Sequence, residues 1–321
     1  MNYQLNPKLK LGVEVMRWNM RSQQPGGLTD KQFQEDAQKS YRSRNWFDID
    51  WNTIAVTALY QISEKQTLDF KAFHLTGDRN SVGFMKSILL PDSINLATGT
   101  FNNRQLDIDR YRNWGAEARY LVEYKTGRQT SHLSAGIRYF KGETERLRNG
   151  VGSTGSDYNM SANKAYPTDL ALVSDNLAFF AENLFRITDK LVVVPGFRVE
   201  HLKTSADGRL GFNPDNSEIR INRESRTRNF MLFGIGAEYH TSKTTEIYAN
   251  ATQSYRPMLF SDLTASPTTD VIDPDLSDSK GYSLEAGFRG KWKNYLQFDA
   301  GIFWLQYNNR IGSITQLRPD G

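Results

Sequence analysis

The sequence of 321 residues contains no cysteine. This absence excludes disulfide bridges, cysteine-ligated zinc, iron–sulfur clusters and thiol catalysis. The four histidines are His74, His132, His201 and His240, and their spacing matches no common metal site. Neither a G-x-S-x-G motif nor a P-loop is present. We therefore expect no enzymatic activity, no resident metal and no cofactor.

Long apolar runs are also missing. The mean hydropathy is −0.60, and the apolar run at residues 191–194 ends at Pro195 and Gly196. Because a membrane-spanning helix needs about 20 apolar residues, helical membrane proteins are excluded. Transmembrane β-barrels are not excluded, since alternation hides their apolar face from averaged hydropathy. With 40 Lys and Arg against 36 Asp and Glu, the charge bias is too small to predict a nucleic-acid partner.

The sequence does have a strong period of two. Leu191, Val193, Phe197 and Val199 lie at odd positions, whereas the even positions include Gly196, Arg198 and Glu200. Residues 231–239, 282–291 and 296–304 follow the same pattern. Alternation of this kind predicts strands with one apolar and one polar face. Aromatic residues, 12% of the chain, concentrate near the expected strand ends, which is typical of interfacial girdles or of ordinary strand propensity.

The connections between these strands are of two kinds. Short polar turns alternate with long polar segments at residues 20–45, 77–106, 142–174, 203–228 and 256–280. Transmembrane barrels have this asymmetry, whereas compact soluble domains favour short loops throughout. We therefore predict an all-β fold, an antiparallel meander of about 11–12 long strands that forms part of a transmembrane β-barrel.

One predicted strand changes phase. Its apolar residues Phe47, Ile49 and Trp51 occupy odd positions, but from Ile54 onward the apolar residues occupy even positions. A β-bulge near residues 52–53 would produce this change. Alternatively, the first part of the strand projects beyond the bilayer, where its outward face need not be apolar. The sequence leaves both interpretations open.

Several motifs resemble those of TonB-dependent outer-membrane receptors. They are residues 254–263 (SYRPMLFSDL), 272–276 (IDPDL) and 281–290 (GYSLEAGFRG), together with the pair 179–185 (FFAENLF) and 194–200 (VPGFRVE). The match is to the iron-dicitrate-type branch, and it extends over essentially the whole chain. The resemblance implies a 22-stranded barrel of which residues 1–321 are a partial domain. We expect a barrel fragment without a plug domain, signal peptide or C-terminal strands.

The resemblance also implies a function. It predicts energy-coupled uptake of an iron chelate, ferric citrate or a siderophore, across the cell outer membrane. The implied partners are outer-membrane lipid and TonB, which would act through a plug absent from this chain. A receptor for cobalamin or an oligosaccharide is an alternative, and a soluble all-β surface binding module is an alternative from another class.

Charged residues on the predicted inner face divide into two groups. We expect ligand contacts from arginines at the mouth of the lumen and in the loops, because guanidinium suits anionic chelates. These candidates are Arg138, Arg198, Arg256, Arg79 and Arg104. We expect structural pairing across the wall from a second set, Glu117, Arg119, Glu238, Glu285 and Arg289.

Overall fold

The computed structural model describes residues 1–263, 275–293 and 295–312. Their strands are β1 (Asn2–Asn6), β2 (Leu9–Gln23), β3 (Trp46–Ser63), β4 (Gln66–Gly83), β5 (Ile94–Asn95), β6 (Thr100–Phe101), β7 (Gln105–Thr126), β8 (Gln129–Val151), β9 (Thr168–Arg186), β10 (Leu191–Phe212), β11 (Glu218–His240), β12 (Thr245–Arg256), β13 (Ser279–Trp292) and β14 (Leu296–Asn308). Two short helices, α1 (Asp30–Glu35) and α2 (Phe260–Leu263), lie in connections. In this part of the chain, no helix is long and apolar enough to cross a membrane.

Twelve of the described strands form one sheet in which every neighbouring pair is antiparallel. The order is β1-β2-β3-β4-β7-β8-β9-β10-β11-β12-β13-β14, while β5 and β6 pair separately within the connection between β4 and β7. This confirms the predicted meander. We call the sheet end with connections 24–45, 84–104 and 152–167 the upper end, and the end with the short turns the lower end. At the lower end, Gly127 has a φ of 63° in the two-residue turn between β7 and β8, a conformation that glycine adopts without strain.

Several strands are longer than the alternation predicted. The expected long loop at residues 203–228 is wrong, because β10 continues to Phe212 and β11 starts at Glu218, joined by residues 213–217. The expected loop at 142–174 is similarly reduced to residues 152–167. The added parts of β8, β10 and β11 are mostly polar and therefore lack the alternation that identifies a half-apolar strand. In the added part of β9, residues 170–173 are all apolar, so alternation is missing there as well.

The phase change in β3 does not arise from a β-bulge. From Trp46 to Gln61 the strand pairs with β4 without a shift in register, so a bulge at residues 52–53 is excluded. Trp51 pairs with Gly77 and belongs to the polar face, whereas Ile54 pairs with His74 on the opposite face. The apolar residues above the change therefore lie on the other face of an uninterrupted strand.

The two faces of the sheet differ in chemistry over the lower part of the strands. We call the side of Val15, Ile54, Phe179, Ile235 and Ile302 the apolar face, and all five side chains are exposed. The opposite side, the polar face, is rich in charged and small residues. In a transmembrane barrel the apolar face meets lipid and the polar face lines the lumen. Fully buried apolar residues such as Val82, Leu106 and Leu170 lie instead in the upper part, where the connections pack on the strand ends.

Candidate ligand-binding interior

A phenylalanine flanked by arginines lies on the polar face at mid-height. Strand pairing places Arg119, Gly136, Phe180 and Arg198 in one row across β7 to β10. The Phe180 ring covers Gly136, and a Cβ atom at residue 136 would lie 2.5 Å from the ring. The guanidinium carbons of Arg119 and Arg198 lie 5.5 and 5.6 Å from the ring centroid. The Phe180 ring can therefore occupy this space only because residue 136 has no side chain.

The charges beside this row are mostly paired. Arg119 Nη2 lies 2.8 Å from Glu117 Oε1, and Arg198 pairs with Glu200. Arg138 pairs through its backbone with Glu117, yet its guanidinium makes no hydrogen bond or ion pair with any described residue. Both Arg138 and Arg198 lie well below the upper end, contrary to their expected place at the mouth. β8 continues for thirteen residues beyond Arg138, roughly 40 Å along the strand.

The predicted wall charges near the lower end form a second cluster. Arg289 Nη2 lies 3.1 Å from Glu238 Oε1, and Arg289 Nε donates to Glu246 Oε1. Glu285 accepts hydrogen bonds from Tyr248 Oη at 3.3 Å and from Asn250 Nδ2 at 2.9 Å. Glu238, Glu285 and Arg289 thus each interact with a side chain on a neighbouring or nearby strand, within β11 to β13.

One triad in this cluster has the composition of a metal site. Glu238, His240 and Glu246 each offer a ligand atom, and these atoms lie within 4.8 Å of one another. However, His240 Nδ1 lies 2.9 Å from Glu246 Oε2, and Arg289 contacts both carboxylates. The ion-pair network accounts for the proximity of these side chains without a metal.

At the upper end, three arginines surround a single carboxylate. Asp109 is 1% exposed in its side chain, and it accepts hydrogen bonds from Arg146 Nε at 3.0 Å and Arg148 Nη2 at 2.5 Å. Arg79 Nη1 lies 3.7 Å from the same carboxylate, with 52% of its side chain exposed. We call these four residues the mouth cluster. It carries two positive charges in excess, because one carboxylate faces three guanidinium groups.

An aromatic pair lies in the next row of the polar face, toward the middle of the strands. Trp51 and Tyr111 stack with ring centroids 5.2 Å apart and an interplanar angle of 20°. Gly77 lies between them in the strand order, so no side chain separates the rings. The sequence prediction did not select Asp109, Trp51 or Tyr111. Continuing the parity of Glu117 up β7 would have placed Asp109 and Tyr111 on the inner face.

Two more of the predicted ligand-binding arginines, Arg104 and Arg256, also have partners within the protein. The Arg104 side chain is 0% exposed, and its guanidinium donates to the carbonyl oxygens of Arg44 and Asp157. Burial lowers the pKa of Arg104 because it penalises the charged form. Arg256 Nη2 donates to Asp262 Oδ1 at 3.0 Å, at the start of the connection between β12 and β13. Arg79, predicted in a loop, lies on β4.

A further ion pair ties that connection to the wall. Arg228 Nε lies 3.0 Å from Asp278 Oδ2, and Arg228 Nη2 donates to the carbonyl of Met258 at 2.7 Å. Burial acts to raise the pKa of Asp278, but hydrogen bonds from Tyr255, the Met258 N–H and Arg228 outweigh it and hold the pKa below its usual value. Residues 272–274 of the IDPDL motif lie outside the described residues.

Comparison with known proteins agrees with this geometry. The sequence model of the family described as "TonB dependent receptor-like, beta-barrel" matches residues 3–321. The structure is similar to that of the ferric citrate transporter FecA in its unliganded form, with a TM-score of 0.78 at 18% identity. The similarity covers 97% of this chain and 42% of that one.

Two other solved structures share the fold. The ferric-catecholate import receptor Fiu from E. coli K12 in its closed form has a TM-score of 0.70 at 13% identity, covering 95% of this chain and 50% of that one. The ferric yersiniabactin uptake receptor FyuA from Yersinia pestis has a TM-score of 0.65 at 12% identity, covering 94% and 43%. The chain thus spans about half the length of these proteins or less.

Proposed function

We propose that this chain, which belongs to the family of TonB-dependent receptor-like β-barrels, forms part of the barrel wall and of the extracellular mouth of a receptor. The ligand of that receptor would be an anionic iron chelate. Members of this family are outer-membrane transport receptors rather than enzymes. In the proposed mechanism, the mouth captures a chelate such as ferric citrate or a siderophore. Energy supplied through TonB then drives its release into the periplasm.

The mouth cluster is the observation that carries the choice of an anionic ligand. Arg79, Arg146 and Arg148 share the single carboxylate of Asp109, and the guanidinium of Arg79 is half exposed. A guanidinium group donates hydrogen bonds in a planar fork, which matches carboxylate and related oxyanion groups. A neutral ligand such as an oligosaccharide would gain nothing from two surplus positive charges.

The other candidate arginines would have different roles in ligand binding. Arg138 and Arg198 would contact a ligand only after it had passed the mouth, since both lie at mid-height on the polar face. Arg256 would act at the upper end of β12. Arg104 would contribute indirectly, because its guanidinium is fully enclosed.

Binding to the intact receptor in detergent tests this function. We expect tryptophan fluorescence to report saturable binding of at least one of ferric citrate, a ferric hydroxamate and a ferric catecholate. Saturable binding of cobalamin or a neutral oligosaccharide, with none of the ferric chelates bound, would contradict the proposal.

The contribution of the mouth cluster is tested by Arg79→Gln. We expect affinity for the bound chelate to fall about ten-fold or more, since a hydrogen bond to a charged group contributes roughly 1.5 kcal/mol or more. Arg17→Gln is the matched control, because Arg17 forms an ion pair with Asp50 on the apolar-face side of the strands. Equal affinities for the two variants would exclude Arg79 from the site.

A further inference from the structure

Three connections at the upper end interlock with one another. They are residues 24–45 between β2 and β3, 84–104 between β4 and β7, and 152–167 between β8 and β9. We call these three segments together the cap. Their contacts converge on Arg44 and Arg104, two of the most deeply buried side chains among the described residues.

Arg44 joins all three segments of the cap. Its side chain is 2% exposed, and Nε and Nη2 donate to the carboxylate of Asp92 at 2.9 and 2.5 Å. Nη1 donates to the carbonyl oxygens of Thr154 at 3.0 Å and Gly155 at 3.2 Å. Nη2 also donates to the Asn102 carbonyl at 3.3 Å. All five N–H groups of this guanidinium are therefore used, as burial requires.

Arg104 makes the reciprocal connections from the second segment. Nη1 donates to the Arg44 carbonyl at 3.3 Å and to the Asp157 carbonyl at 2.6 Å, and Nη2 donates to Ser153 Oγ at 2.7 Å. The backbone contributes as well, since the Gly152 N–H donates to the Arg104 carbonyl at 2.8 Å. Removal of either guanidinium would leave several acceptors within the cap without this donor.

The cap is continuous with the strand ends that carry the mouth cluster. Phe47, three residues after Arg44, lies beneath the guanidinium of Arg79 at 5.4 Å from its ring centroid. Asp109 follows Arg104 by five residues, and Arg148 precedes the third segment by four. A displacement of the cap would therefore move the strand ends from which the cluster projects.

We propose that Arg44 and Arg104 are positioning residues that hold the cap in one preassembled arrangement before ligand arrives and thereby fix the mouth cluster. This inference rests on the proposed function for the ligand that the cluster binds. Any closure of the mouth around a ligand must then involve segments outside the cap, because opening the cap exposes two charged groups paired in its interior.

Hydrogen exchange of the intact receptor in detergent, without ligand, tests the preassembled cap. We expect slow amide exchange in all three segments, including the amides of Arg104 and Gly152. Arg44→Lys keeps the charge but cannot supply five donors, so exchange should accelerate at least about ten-fold in all three segments together. The control Arg17→Lys should leave the cap unchanged, and strand amides at residues 193–199 should be unaffected in both variants.

Binding of ferric citrate as probe tests the positioning role. We expect the probe to alter exchange in the cap less than two-fold, and Arg44→Lys to weaken its binding at least about five-fold relative to Arg17→Lys. Independent exchange of the three segments, or protection that appears only with the probe, would overturn the preassembled cap. Equal affinities of the two variants would overturn the positioning role. If no ferric chelate binds the unmodified receptor, the proposed function fails while the ligand-free exchange still decides the state of the cap.

Discussion

The packing of Phe180 over Gly136 leads to a specific stability prediction. In Gly136→Ala the added Cβ would lie 2.5 Å from Cζ of Phe180 and 2.8 Å from the backbone oxygen of Ala118. The ring can turn away only by leaving its place between two guanidinium groups, and the Ala118 oxygen is fixed by strand pairing. We expect the substitution to destabilise the barrel without altering its topology.

The magnitude follows from these contacts. Overpacking by one methyl group costs about 1–3 kcal/mol, and loss of two partly exposed cation–π contacts costs about 0.5–1 kcal/mol each. If the Phe180 ring turns, the steric clash is partly relieved but the cation–π contacts are lost. The overpacking cost and the cation–π cost therefore are not fully additive. We expect a net loss of about 2 kcal/mol in the free energy of unfolding.

Urea unfolding of the intact protein in micelles, followed by tryptophan fluorescence, measures this loss. The matched control is Gly236→Ala, at a glycine whose added Cβ would have no atom within 4 Å. That change should be neutral or stabilising by up to about 1 kcal/mol, because glycine loses more backbone entropy on folding. In a Phe180→Ala background, Gly136→Ala should cost less. An unchanged cost in that background, or equal effects of the two glycine substitutions, would refute the role of the ring.

Two further predictions concern the faces of the sheet. Ile235→Arg on the apolar face should lower the free energy of unfolding in lipid by about 2–4 kcal/mol. Thr252→Arg on the polar face should change it by less than about 1 kcal/mol. Urea titration in liposomes measures both, and equal costs would contradict the assigned orientation. In variants with a single tryptophan, brominated lipid should quench the fluorescence of Trp114, which lies on the apolar face beside Tyr139. The fluorescence of Trp51, on the polar face, should not be quenched. Quenching of Trp51 would contradict the assignment of the apolar face to lipid.

Alternation alone located most strands in this chain because the lower part of the sheet meets two different environments. Residues such as Leu191, Val193 and Phe197 are apolar at every second position, and β10 starts at Leu191 as this pattern indicates. The same signal disappears where both faces are polar. The upper parts of β10 and β11 were therefore predicted as a loop, although they pair for most of their length.

The height of Arg138 and Arg198 along the strands differs from the sequence prediction. Arg138 and Arg198 do face the polar side, yet their distance from the mouth depends on strand length, which the loss of alternation concealed. The mouth cluster depends on the pairing of β4, β7 and β8. No local pattern indicates that Arg79, Asp109 and Arg146 stand side by side in one row.

The class of fold, the two faces of the sheet and the family resemblance could be read from the sequence, because each of these depends on residues close together in the chain. Which charged side chains are exposed depends instead on the tertiary structure. Arg104 and Arg79 look alike in the sequence, but packing of three distant connections buries the first and leaves the second half exposed. Burial and pairing depend on contacts between residues far apart in the chain, and so a linear pattern does not contain them.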